Sequence, residues 1–141
     1  MAREELRQRI DLIEEAYEFL LAYAAQGLLG DADSKSGSEL RSYLNRLDVA
    51  LDGLADLFRQ VAKEENHEGK EELLAYIDVL EEDQRRSHAA VRLVRAQPSI
   101  SSQLVDNFNG SIHIRALLTD LFLVDEILKV LGDKVPRAGE I

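Results

Sequence analysis

The sequence predicts an all-α protein in which four helices form an up-down-up-down bundle. Three observations predict this class: apolar residues recur every three or four positions along most of the chain, glycine falls mainly between those periodic stretches, and tryptophan is absent. The connections after the second and third helices are short, so these helices should lie antiparallel to their neighbours. We expect one bundle domain over residues 1–132 and a mobile tail at residues 133–141.

Composition limits the functions that the chain can have. Its 141 residues are enough for a single domain with its own core. The 27 acidic and 17 basic side chains give a formal charge of −10. An acidic surface repels phosphate backbones, so we expect no nucleic-acid partner. Cysteine is absent, which excludes disulfides and thiolate metal ligands.

No segment predicts a membrane protein. The most apolar stretch, residues 112–131, contains five charged side chains. A membrane-spanning helix needs about 20 predominantly apolar residues with few or no charges. The N-terminal segment, MAREELRQRI, is charged from its third residue and lacks the apolar run of a secretory signal. We therefore expect a cytoplasmic protein that has no membrane partner.

The first helix is predicted over residues 2–25. It contains a heptad seam and a second apolar row beside that seam. The seam consists of Leu6, Ile10, Ile13, Tyr17, Leu20 and Ala24, and the second row of Leu12, Ala16, Phe19 and Tyr23. Because this apolar face is wider than one neighbour needs, the first helix should contact two neighbours or a second subunit.

The second helix has the clearest periodicity in the chain. Ser36, with Glu39 three residues later, matches a capping box and predicts the start of the helix. Leucine-rich heptads follow without a miss, so we expect one continuous helix that ends near Asn66. Its seam consists of Leu40, Leu44, Leu47, Leu51, Leu54, Phe58 and Val61. Gly69 allows a tight reversal into the third helix.

The third helix is predicted over residues 70–96. It ends ahead of Pro98, because proline disfavours helical angles in the residue before it. Its apolar seam is interrupted in the middle by Gln84 and Ser87, and His88 lies directly beside them. The interruption places polar side chains at the level of the core.

The fourth helix is predicted to begin near Ile100 and to be kinked or broken near Asn109 and Gly110. A glycine inside a helix costs about 1 kcal/mol relative to alanine, and Asn-Gly is a common turn signal. The helix should resume over residues 112–131, which are apolar on nearly every side and therefore predict a buried helix. Gly132 can cap its end.

Polar residues of several predicted helices fall at one level of the bundle when positions are counted from the turns. The candidate site residues at this level are Gln84, His88, Asn107, Ser111 and His113. Buried polar groups cost free energy unless they are paired. The layer is therefore either a hydrogen-bond network that fixes the register of the helices or the lining of a site for a small molecule or an ion. If the heptad phase differs from the one assumed, these groups instead face water.

A local inversion of charge gives another candidate surface. Residues 84–105 contain no acidic side chain and four arginines, which are Arg85, Arg86, Arg92 and Arg95. Such a patch can receive an acidic partner or an anion. Alternatively, Arg85 and Arg86 pair with Asp48 and Asp52 across the interface between the second and third helices, where exposed ion pairs contribute about 0–1 kcal/mol each.

No metal or catalytic motif is complete. A di-iron bundle needs two Glu-x-x-His motifs, and only Glu64 with His67 matches one. The residues three positions before His88 and His113 are not acidic. The sequence contains no nucleophile elbow, phosphate-binding loop or His-Glu-x-x-His motif. We therefore expect no metal, no cofactor and no enzymatic activity.

Surplus apolar surface on the first and fourth helices favours a function in protein association. A single bundle would leave part of this surface exposed, and monomers avoid large exposed apolar patches. A homodimer is the simplest arrangement that covers it, because most soluble oligomers are closed and symmetric. Binding of a helix from another protein, as in an adaptor or a chaperone, is the second possibility. The alternative function is binding of a small molecule or an ion at the polar layer.

Overall fold

The computed structural model describes residues 1–32, 34–64 and 66–133, and all regular secondary structure in this part of the chain is α-helical. The all-α prediction is therefore confirmed at the level of fold class. The described residues contain six helices rather than four. These are α1 (Ala2–Ala25), α2 (Lys35–Leu51), α3 (Leu54–Glu64), α4 (Lys70–Arg95), α5 (Ser102–Asn109) and α6 (Ile112–Asp133).

The prediction of one continuous second helix is wrong, because Asp52 and Gly53 interrupt the helix and separate α2 from α3. Gly53 has a φ of +69°, in the left-handed region that residues with a side chain rarely occupy. The leucines on either side, Leu51 and Leu54, are both fully buried. The heptad seam therefore passes through the break without interruption, and the apolar pattern alone predicts one helix.

The predicted break near Asn109 and Gly110 is present. α5 ends at Asn109, and α6 begins at Ile112. Gly110 has right-handed helical angles, with a φ of −81°, and its N–H group donates a hydrogen bond to the Asp106 carbonyl over 3.0 Å. The break therefore uses no conformation that requires glycine.

α6 continues through Gly132 to Asp133, so the predicted cap at Gly132 is wrong. Asp133 is accordingly helical rather than the first residue of a tail. The rest of the predicted mobile tail, residues 134–141, lies outside the described residues.

The two longest helices, α1 and α4, each pack against several other helices. α1 contacts α2, α3 and α5, and α4 contacts α2, α3 and α6. The wide apolar face of α1 is therefore covered from two sides, as its double row of apolar residues predicts. The largest fully buried side chains include Tyr23, Phe58, Ile13, Leu20, Leu40, Leu44, Leu47, Leu51, Leu54, Ile77, Leu80 and Ile100.

Serine side chains cap the starts of α2 and α5. Ser34 accepts a hydrogen bond from the Gly37 N–H group over 2.9 Å, so α2 begins two residues earlier than the predicted capping box at Ser36. Ser101 accepts from the Leu104 N–H group over 3.0 Å. Each cap satisfies one of the N–H groups that the first turn of a helix leaves without an intrahelical partner.

Arg41 joins the connection between α1 and α2 to the connection between α4 and α5. Arg41 donates to the Asp31 carboxylate over 2.7 Å and to the carbonyls of Arg95 and Gln97 over 2.7 and 2.8 Å. Asp31 also accepts a hydrogen bond from the Ile100 N–H group over 2.7 Å. The hydrogen bond from Arg41 lowers the pKa of Asp31, so this carboxylate stays charged and holds the two loops together.

Candidate functional site

Gln84 is the centre of the polar interruption that the sequence predicts in the core. Its side chain is buried in α4, and its Oε1 accepts a hydrogen bond from the backbone N–H group of Ala55 over 2.8 Å. Ala55 is the second residue of α3, directly after the break at Gly53. Gln84 therefore satisfies an N–H group that the start of α3 would otherwise leave unpaired in the core.

His88 lies one turn further along α4 and contacts a different helix. Its Nε2 is 2.7 Å from Oδ1 of Asp48 in α2. The same carboxylate accepts from Arg92 over 3.0 Å and pairs with Arg95 over 3.2 Å. Burial would raise the pKa of Asp48, but the hydrogen bonds from Arg92 and His88 together with the charge of Arg95 lower it. Asp48 thus binds three side chains of α4 and holds α2 against α4.

The expected pairing of Arg85 and Arg86 with Asp48 and Asp52 is wrong. Both arginines pair with Glu82 of their own helix, and the distance from Arg86 is 3.9 Å. Asp48 pairs instead with the later arginines of the segment, which lie on the side of α4 that faces α2. The basic patch is therefore partly neutralised by its own neighbours.

The remaining three candidates do not join Gln84 and His88. Asn107 is exposed, and its side-chain oxygen accepts a hydrogen bond from Gln103 over 3.2 Å. Ser111 has a buried Oγ without a hydrogen-bond partner among the described residues. His113 contacts α4 through its backbone carbonyl, which accepts a hydrogen bond from the Ser87 hydroxyl over 2.9 Å. The five predicted site residues thus contact separate parts of the structure rather than one cavity.

Asp120 is a buried carboxyl group that sequence analysis did not select as a site residue. It is 3% exposed, and its Oδ1 accepts a hydrogen bond from the Tyr76 hydroxyl over 2.7 Å. Burial, together with the neighbouring carboxyl of Asp83, raises the pKa of Asp120 to about 7, and the hydrogen bond from Tyr76 opposes this increase. The hydrogen bond to Asp120 raises the pKa of Tyr76 to about 12.

The sequence contained a signal for Asp120. It lies three residues after Leu117 and four before Val124, and both of these leucine and valine side chains are fully buried. This spacing places a charged side chain on the buried stripe of the helix. Asp120 is one of the five charged side chains that argue against a membrane span in residues 112–131. The sequence analysis used it only for that purpose and did not assign it to the core.

An apolar groove of about 520 Å³ runs between the first half of α4 and the second half of α6. The ring of Tyr76 lines it, so the groove and the Asp120 carboxyl share this side chain. The other residues that line the groove are His67, Glu68, Gly69, Glu72, Leu73, Leu123, Val124, Glu126, Ile127, Val130 and Leu131.

The face of α6 beside this groove is exposed, so the expected burial of residues 112–131 is only partial within one chain. We define the α6 outer stripe as Ile112, Ala116, Leu123, Ile127 and Val130. Ile112 is 74% exposed, and the last three members are 44–49% exposed. Together with Thr119, these residues follow intervals of three and four positions, so they form one line along the helix. α6 therefore has a second apolar seam on the side away from the core.

Neither a metal centre nor a membrane span is found in the described part of the chain. No group of three or more His, Asp and Glu side chains there has an arrangement that holds a metal ion. None of the helices described combines the length and apolarity that crossing a membrane requires. Comparison with protein-family models, with curated proteins and with solved structures finds no match for the chain. The exposed α6 outer stripe and the adjoining groove form the candidate site.

Proposed function

We propose that this protein is a non-enzymatic helical bundle that acts through protein association, and that it binds a second copy of itself through the α6 outer stripe. The observation that supports this most directly is the exposure of Leu123, Ile127 and Val130 in one line on α6. Under this proposal the protein works in the cytoplasm as a homodimer and needs neither nucleic acid nor a cofactor.

The proposal includes an up-down-up-down arrangement of four columns. One column is α1 and another is α4, while α2 with α3 and α5 with α6 each take the place of one helix. The contacts of α1 and of α4 with both two-helix columns support this arrangement. In such a bundle the outer face of a column has no neighbour within the same chain.

The energetics favour a partner that covers the whole stripe. Burying a fully exposed leucine, isoleucine or valine contributes about 1.5–3 kcal/mol. Leu123, Ile127 and Val130 are near half exposed, so covering each contributes roughly 1 kcal/mol per copy. Association costs at least about 4 kcal/mol, because the two chains lose translational and rotational freedom. A stable dimer therefore needs the stripes of both copies, and a charge in the middle of the stripe should prevent association.

A second copy is the simplest occupant because its stripe has the same length and the same apolar character. A two-fold axis brings the identical patches of the two copies together and gives a closed dimer to which no further copies add. The groove between α4 and α6 extends the contact surface through Tyr76, whose ring borders it.

Sedimentation velocity of the full chain at about 10 µM tests the proposal. The wild-type protein should sediment with twice the 15.9 kDa mass of one chain. Leu123→Glu should sediment as a monomer with an unchanged helical circular dichroism spectrum. Leu93→Glu is the matched control, because Leu93 is 66% exposed on α4 and lies outside the α6 outer stripe.

A monomeric wild-type protein at that concentration would overturn the proposal. A native mass spectrum of the same sample would then show whether a small molecule accompanies the chain. A reproducible additional mass would favour the alternative function, the binding of a small molecule or an ion.

A further inference from the structure

Two charged residues flank the α6 outer stripe on the same side. Arg115 and Glu126 are both exposed, and neither forms an ion pair with another described residue. At 100° per residue, each lies on the flank of the stripe opposite to the flank that meets α4 at Asp120. One end of the stripe thus has a free positive charge on this flank, and the other end has a free negative charge.

The positions of these charges differ from those of the other charged residues nearby. Lys129 and Asp125 pair with each other over 3.1 Å on the far side of α6. Arg115 and Glu126 are separated by three turns of helix, roughly 16 Å, so they cannot pair within one chain. Their charges are therefore available to a partner.

We propose that two copies associate with their α6 helices antiparallel, so that Arg115 of each copy pairs with Glu126 of the other; this inference depends on the proposed self-association. In an antiparallel pair, equivalent flanks of the two helices face each other. A two-fold axis near Leu121 places Ile112 opposite the partner's Val130 and Arg115 beside the partner's Glu126. In a parallel pair the opposite flanks of the two helices face each other, so Arg115 and Glu126 of the two copies would lie on different sides of the interface and could not pair.

The same axis gives α4 a part in the interface. The contact between Ser87 and His113 sets the register of α4 against α6, and counting from it places Val79 at the level of Leu121. Val79 is 47% exposed. The apolar side chains nearest to the axis thus come from both helices, and the ion pairs lie towards the ends. Ion pairs at the edge of an interface mainly determine which partner and which orientation is accepted.

Charge reversal tests the pairing. Arg115→Glu and Glu126→Arg should each raise the dissociation constant of the dimer about tenfold or more, because each creates two like-charge contacts. In a heterodimer formed from an equimolar mixture of these two variants, both contacts pair a glutamate with an arginine, so mixing should restore association. The double variant Arg115→Glu with Glu126→Arg restores opposite charges at both contacts and should return the dissociation constant to near that of the wild type. Arg7→Glu, at an exposed position on α1, is the control for a change in net charge.

Cysteine cross-linking tests the orientation, and the cysteine-free chain provides a clean background. Ile112 and Val130 lie roughly 27 Å apart along one helix, so the two positions are well separated. An equimolar mixture of Ile112→Cys and Val130→Cys chains should form the mixed disulfide under mild oxidation, as read by mass spectrometry. Symmetric disulfides of each variant alone would indicate parallel helices and would overturn the inference.

The outcomes separate this inference from the proposed function. If the wild-type protein is monomeric, both the proposed self-association and the antiparallel pairing are wrong. A wild-type dimer that dissociates with Leu123→Glu supports the proposed function. If that dimer is unaffected by Arg115→Glu and by Glu126→Arg, the antiparallel pairing is wrong although self-association is correct.

Discussion

The side-chain oxygen of Gln84 in α4 lies 2.8 Å from the backbone nitrogen of Ala55 and accepts its N–H group in the first turn of α3. The break at Gly53 creates this free N–H group, and Gln84 satisfies it from the neighbouring helix. The polar residue in the seam of α4 and the glycine between α2 and α3 therefore belong to one structural feature. Two predictions follow from its two halves.

Gln84→Leu should destabilise the protein by about 1–3 kcal/mol. The leucine fills a similar volume but leaves the Ala55 N–H group buried without an acceptor, and such a group costs its full desolvation free energy. Urea unfolding followed by circular dichroism measures the change in the free energy of unfolding. Gln84→Glu keeps an acceptor at the N-terminal end of α3 and should lose less. Gln103→Leu, at an exposed position of α5, should change stability by no more than about 0.5 kcal/mol.

Gly53→Ala should also destabilise the protein, by about 1 kcal/mol or more. An alanine at a φ of +69° is strained even though open space surrounds the added Cβ atom. Gly110→Ala is the matched control, because Gly110 has a φ of −81° and its nearest contact to an added Cβ is an ordinary 3.5 Å. Equal losses at the two positions in urea unfolding would contradict the assignment of strain to Gly53.

The heptad seams predicted the helical class and most of the core, because apolar periodicity depends only on which face of a helix is buried. The same periodicity could not reveal the break at Gly53, since Leu51 and Leu54 remain buried on either side of it. The glycine itself was the available signal. It was outweighed by a pattern that continues on both sides of the break.

The candidate site was less predictable than the fold. Counting along helices correctly brought α4 polar residues to the core, but it could not determine that Gln84 would bind a backbone group and His88 a carboxylate. Asn107 is exposed because it lies outside the buried face of α5, which consists of Ser102, Val105, Phe108 and Asn109. Which face of α6 stays uncovered also depends on how the other helices pack, and the sequence of α6 alone does not contain that information.

Asp48→Asn should destabilise the protein near neutral pH and should have less effect in acid. The pKa of Asp48 is lowered from its usual value of 3.8 in the folded protein, so its charged form stabilises the fold above that pH. This contribution is lost as the pH falls below about 4 and through the folded pKa. We expect a loss of about 1–3 kcal/mol at pH 7, since hydrogen bonds to a charged group are removed. The difference between wild type and variant should shrink between pH 5 and pH 3, and a constant difference would contradict this account.

Asp120→Asn should make the protein more stable above pH 7. The folded pKa of about 7 lies above the usual 3.8, so the folded state binds more protons than the unfolded state between these two values. The free energy of unfolding therefore decreases as the pH rises through this window and stays lowered above it. Asparagine keeps an oxygen that accepts from Tyr76 and cannot ionise, so the variant should gain roughly 1–4 kcal/mol over wild type at pH 8 and much less at pH 4. Urea unfolding of both proteins at pH 4, 6 and 8 measures this, with the exposed Asp106→Asn variant as control. A wild-type slope that persists unchanged in Asp120→Asn would show that another group titrates in its place.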